Sequence, residues 1–158
     1  MLAMFGGNTD LIGTLVKAGA RVDESLLIFG TSHATPTNFA ASFGDVPITR
    51  ALLYAGADPN ETDSDGFTLL YETVVNNHPD AARLLIERGS NVNAVDRRGM
   101  TPLLYAASAD FGDSAMVDLL LKMGANPAAR TREGLTAQGL ARKYRHAYLT
   151  GSLTVAAR

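Results

Sequence analysis

The chain has 158 residues, ordinarily one domain, and 46% hydrophobic against 19% charged residues, a balance that suits a folded globular protein and argues against disorder. A net charge of -2 gives no general attraction to phosphate, so no nucleic-acid partner is expected, and the absence of cysteine excludes disulfides and thiolate metal sites. No apolar run approaches the ~20 residues that span a bilayer, and Met1 to Phe5 lacks a basic stretch before a long apolar one, so no membrane association and a cytoplasmic compartment are expected.

In chain order, the first element ends on Leu15-Val16-Lys17-Ala18-Gly19-Ala20, an apolar pair followed by a glycine suited to a left-handed helix end. A long loop follows, carrying Leu26-Leu27-Ile28-Phe29. This run either extends the first helix pair and covers the end of the molecule, or forms an apolar tip for a partner. Thr35-Pro36 reads as the cap and first residue of a helix with Phe39, Ala40 and Ala41. Asp45 then stands where a second helix would be capped. Ile48, Ala51, Leu52 and Ala55 make its apolar stripe.

The same phrase returns. Leu52-Leu53-Tyr54-Ala55-Gly56-Ala57, Leu85-Ile86-Glu87-Arg88-Gly89-Ser90 and Leu120-Leu121-Lys122-Met123-Gly124-Ala125 repeat the first ending, with glycines 37, 33 and 35 residues apart. Ten residues after three of these glycines stand Gly66, Gly99 and Gly134, each followed two residues later by Thr68, Thr101 or Thr136. The Asp- and Asn-rich stretches between them have turn chemistry. Asp113, before Ser114-Ala115, is a further expected helix cap. Ala109-Asp110-Phe111-Gly112 adds two residues to the turn before it.

The repeated pattern resembles the ankyrin repeat family, most closely at Asp96-Arg97-Arg98-Gly99-Met100-Thr101-Pro102-Leu103 with Ala106-Ala107, and at Thr35-Pro36 with Ala40-Ala41 and Gly44-Asp45. The resemblance covers nearly the whole chain. It implies an all-α fold, a solenoid of stacked helix-turn-helix units with hairpin-like finger loops. Five units are expected in a single domain over 1–158: 1–30 as a partial or N-terminal cap, 31–64, 65–97, 98–132, and 133–158 as a C-terminal cap. Unit one enters mid-helix, as a fragment or a shortened cap would. The histidine usual after Thr-Pro-Leu is replaced by Asn38, Tyr71, Leu104 and Gly139, so threonine–histidine hydrogen bonds should be missing. His78 and His146 match the family's Gly-His turn and are expected to cap.

The resemblance further implies a protein-interaction module, non-catalytic and without a cofactor or metal, that holds its partner by the fingers and the concave groove of the first helices. Position by position, the partner-binding residues are then Phe43, Asp65, Phe67, Val75, Asn76, Arg97, Arg98, Met100, Asp110, Phe111, Arg132 and Leu135. Phe43, Phe67, Met100 and Phe111 are either interface anchors or packing against the neighbouring unit. The fingers run from acidic (Asp58, Glu61, Asp63, Asp65) to basic (Arg97, Arg98, Arg130, Arg132), which would set partner register or simply be a solvated mixed surface. No metal-ligand spacing, phosphate-binding loop or nucleophile elbow appears. A monomer binding one protein is the primary expectation. The alternative is a regulatory segment of a larger multidomain protein whose chemistry lies outside this chain.

Overall fold

The computed structural model describes residues 9–23, 26–28, 32–63 and 66–156. Four helix pairs follow one another: α2 (Pro36–Ser42) with α3 (Val46–Tyr54), α4 (Leu69–Val75) with α5 (Pro79–Glu87), α6 (Pro102–Ser108) with α7 (Ala115–Lys122), and α8 (Ala137–Lys143) with α9 (Thr150–Ala156). A 3₁₀ turn, Ala147–Leu149, leads into α9, and α1 (Thr9–Lys17) precedes the pairs. Each first helix packs on the next (α2 on α4, α4 on α6, α6 on α8), and each second helix does likewise from α1 through α3, α5, α7 and α9. The described helices therefore form a single-file stack, the all-α body of the protein.

Local chemistry explains where the helices start. Thr35, Thr68, Thr101 and Thr136 hold extended backbone, and each hydroxyl accepts the N–H three residues on, at 3.0–3.3 Å. Asp45 caps α3 as expected, accepting from Ile48 N at 3.0 Å. Asp113 is one residue early. The cap position of α7 belongs to Ser114, and Asp113 accepts from Ala115 N at 3.0 Å instead. Helices of 7–9 residues are too short to persist alone, so stacking must hold them.

Three devices do so. First, a continuous apolar cluster runs from Leu70 and Val74 of α4 through Leu103, Leu104 and Leu120 to Leu149 and Leu153. Second, asparagine side chains hook one unit to the next with both ends of the amide. Asn60 donates to Gly89 O (2.9 Å) and accepts from Asn91 N (2.8 Å), and Asn93 donates to Gly124 O (3.1 Å) and accepts from Asn126 N (2.8 Å). Third, the histidines differ from their expected role. Neither His78 nor His146 caps its helix by its side chain. Each ring instead donates back to the previous first helix, His78 Nε2 to Ser42 O (3.2 Å) and His146 Nδ1 to Ala107 O (3.1 Å). A carbonyl only accepts, so each of those nitrogens carries the proton.

The long first finger is a hairpin, β1 (Leu26–Ile28) antiparallel to β2 (Ser32–Ala34), with Leu27 opposite His33. Phe29 lies outside the described residues.

Candidate protein-binding surface

Helical periodicity aims residues three, four, seven and eight after each threonine cap away from the second helices, although Leu104, three after Thr101, is fully buried. Phe43, Val75 and Tyr144 occupy such positions and are 66%, 44% and 48% exposed. Phe43 leans on Phe39, with ring centroids 4.7 Å apart. Asn76 is exposed beside Val75 and donates to Glu72 O.

At the base of the middle fingers the aromatic rings join across units. Phe67 stacks on Tyr71 at 4.0 Å, and Tyr71 meets Tyr105 edge-on at 4.5 Å. The Arg98 guanidinium lies 5.1 Å from the Phe67 ring centre and 5.8 Å from that of Tyr105. Asp96 anchors the group. Its carboxylate accepts the Tyr105 hydroxyl at 2.9 Å and the backbone N–H of Arg98 and Met100 at 2.9 and 2.8 Å, and lies 3.6 Å from Arg98 Nε. Burial, reinforced by the hydrogen bonds to Tyr71 and Asp96, raises the Tyr105 phenol far above its ordinary range, so it stays a neutral donor.

The predicted residues divide. Phe43, Val75, Asn76, Arg97, Arg98, Asp110 and Arg132 are exposed. Met100, Phe111 and Leu135 are half-buried and pack against the apolar cluster, and Phe67 is half-buried on Tyr71, because neighbouring units close over these positions. Asp65 lies outside the described residues. Arg132 is no free fingertip. Its guanidinium donates to the Arg97 carbonyl and its stem packs beside Gly99, tying the fourth finger to the third. Asp110 accepts the Tyr148 hydroxyl at 3.0 Å, so the inserted turn is joined to the last unit. Tyr71, Glu72 and Tyr105 were absent from the expected set. Their spacing three or four residues after Thr68 and Thr101 is the signal that would have found them.

Glu72 is half-buried on this face, and no cation among the described residues lies within ion-pair distance of it. Burial first, and then the charge of Asp63, raise its carboxyl above the usual range. The folded state thus holds this proton more tightly than the unfolded chain. Stability is penalised above the folded-state value and recovered as pH falls through it. Glu72→Gln should therefore raise Tm at pH 7. Water screening of a half-exposed group limits the gain to about 1–3 °C. Below about pH 4, where both forms are neutral, the gain should vanish. Thermal melts across pH check this, and a gain independent of pH would contradict it.

Among the described residues no group of three or more His, Asp or Glu is placed to hold a metal, and no helix is long and apolar enough to cross a membrane. The ankyrin repeats (3 copies) family model matches residues 37–131. The chain belongs to the ankyrin repeat family. The solved ankyrin repeat domain from Acinetobacter baumannii superposes with a TM-score of 0.84 at 33% identity, over 99% of this chain and 80% of that one. An ankyrin repeat and LEM domain-containing protein 1 homolog from Caenorhabditis elegans is 52% identical over 63 residues, 40% of this chain and 9% of that protein. A palmitoyltransferase from Lachancea kluyveri is 37% identical over 111 residues, 68% of this chain and 15% of that protein. An ankyrin repeat-containing protein from Schizosaccharomyces pombe is 31% identical over 107 residues, 67% of this chain and 50% of that protein. The ankyrin chain thus spans from a tenth to a half of the length of these curated relatives. Ankyrin repeats are generally protein-interaction modules, and the fold is typically non-catalytic.

Proposed function

We propose that this ankyrin domain, a single module of five units, binds a protein partner through the exposed side of its first helices and its fingers. The observation that supports this most is the alignment of exposed or half-buried large side chains, Phe43, Val75, Phe67, Tyr71 and Tyr105, along one side of a rigid stack. Pre-ordered units lose little conformational freedom on docking, which favours affinity. Phe43 and the Phe67–Tyr71–Tyr105 strip are its anchors. Arg97, Arg98, Asn76, Asp110 and Arg132 form its rim, and Met100, Phe111 and Leu135 contribute what area packing leaves them.

Affinity capture with mass spectrometry tests this. Phe43→Ser with Arg97→Glu alters the first-helix and finger side, and Arg83→Glu alters an exposed position on a second helix. The double variant is expected to lose at least about tenfold of a captured partner while circular dichroism stays native. Arg83→Glu should keep it. Equal capture by all three proteins would refute the reading.

A second reading has its own support. The small share of the Caenorhabditis elegans and Lachancea kluyveri proteins that this chain matches favours a regulatory ankyrin segment within a longer protein, with any chemistry outside it.

A further inference from the structure

Charge is divided along the chain. Residues 1–96 hold twelve acidic and five basic side chains, net -7, and residues 97–158 hold four acidic and nine basic, net +5. Among the described residues the split is net -5 over 9–96 and net +4 over 97–156, and because the helix pairs stack in chain order, it runs along the stack. On the first-helix side the acidic half presents Asp63, exposed, and Glu72, four residues after Thr68. The basic half presents Lys143, in the register position of Val75 and Ser108, with Arg142 and Arg145 flanking it in the chain; all three are exposed. From the acidic pole the Phe67–Tyr71–Tyr105 strip runs into the next unit, towards the basic one.

Several of the other basic residues in this half are held internally. Arg98 is paired with Asp96, and Arg130 and Arg132 donate to the Gly134 and Arg97 carbonyls. By contrast, no acid among the described residues comes within ion-pair distance of Arg142, Lys143 or Arg145. Glu133 feels the charge of Lys143 without closing a pair. Basic residues in the last turn of α8 would complement the helix dipole, which accounts for Arg142 and Lys143. It does not account for Arg145. That residue lies beyond the helix with φ 63, at the turn position filled by Gly44 in α2's unit. An arginine held there carries backbone strain that glycine would relieve.

We propose that this face binds an extended protein segment of divided charge, its basic stretch on Asp63 and Glu72 and its acidic stretch on Lys143 and Arg145, with the exposed Arg142 beside them in the register of Val74 and Ala107. The inference rests on the protein-binding reading above and specifies the partner's chemistry. The poles are two units apart. At about 8–10 Å per packed helix, the gap is about 16–20 Å, which about five or six extended residues cross.

The test uses two labelled peptides of identical composition. One has a lysine block and a glutamate block joined by about six Gly/Ser residues, and the other has lysine and glutamate alternating. In fluorescence anisotropy at low salt, the blocked peptide should bind at least about tenfold more tightly, and lose that advantage near about 0.15 M salt. Arg142→Gln with Arg145→Gly should abolish the advantage. Glycine at position 145 relieves the left-handed backbone, so this variant should fold. Glu72→Gln, made separately, should weaken the blocked peptide as well. Equal affinity for both peptides, or a preference that survives the arginine changes, would overturn the proposal. Sedimentation of the ankyrin protein alone as a low-salt dimer, lost in the arginine variant, would also overturn it, making a second copy the occupant. These failures would leave the Phe43 and Arg97 capture experiment standing, so the two readings fall separately.

Discussion

Gly44→Ala should destabilise the protein by about 2–4 kcal/mol, lowering Tm by about 5–15 °C in a chain of this size. Two costs add. Gly44 has φ 67, a left-handed conformation that costs a residue with a Cβ about 1–2 kcal/mol. A Cβ there would also lie 2.5 Å from Cγ and 2.6 Å from Nδ1 of His78. The ring cannot retreat cheaply, because its Nε2 donates to the Ser42 carbonyl at 3.2 Å and so joins two units. Gly56→Ala separates the terms. Gly56 has φ 99, but nothing lies within 4 Å of a Cβ built on it, so only the backbone cost remains. Removing the ring as well, in Gly44→Ala with His78→Ala, should recover the steric part and leave the lost hydrogen bond. If chemical denaturation shows that the loss in Gly44→Ala with His78→Ala equals the sum of the two single losses, the histidine does not brace this turn.

That turn marks the boundary of what could be read from sequence. Thr101 before Pro102, or Gly56 after Leu52-Leu53, act through backbone atoms within a few residues, and such signals place helix starts and ends without knowledge of the fold. His78 could be aligned to a turn, but its partner, Ser42 O, belongs to another unit 36 residues away. Arg98 and Arg132 read as fingertips by position. Only the stack shows that Asp96 and two rings hold the first, and that the Arg97 carbonyl holds the second. The same limit applied to Met100, Phe111 and Leu135. The repeat pattern marks them as outside the framework, while burial is decided by the bulk of neighbouring side chains. The inserted Ala109–Gly112 turn was visible as extra length, but its bond from Asp110 to Tyr148 was not. Tyr71, Glu72 and Tyr105 were missed for another reason. They occupy mid-helix positions that local turn signals do not mark, and only the helical period places them on the exposed side.

Leu104→Ala should cost about 2–5 kcal/mol and lower Tm by about 5–15 °C. Leu104 stands where the ankyrin pattern has histidine, and it is 0% exposed within the cluster that spans α4 to α9. The Thr101 hydroxyl there accepts from Leu104 N at 3.3 Å, and no histidine side chain joins it. Apolar burial therefore supports this unit where relatives of the pattern use a polar contact. Truncation removes that burial and leaves a cavity that short, cross-braced helices cannot readily close. Its position matters as much as its size. α6 packs on both α4 and α8, and Leu104 belongs to the apolar cluster shared by all three helices, in a stack whose stability is a sum over units and their contacts. Weakening that cluster should let the C-terminal pairs open before the rest, and the urea unfolding slope should fall along with the midpoint. Val95→Ala, at a position 61% exposed, should stay within about 0.5 kcal/mol of the parent. A Leu104→Ala protein that unfolds with an unchanged slope and a loss below about 1 kcal/mol would mean that the stack is not held through this residue.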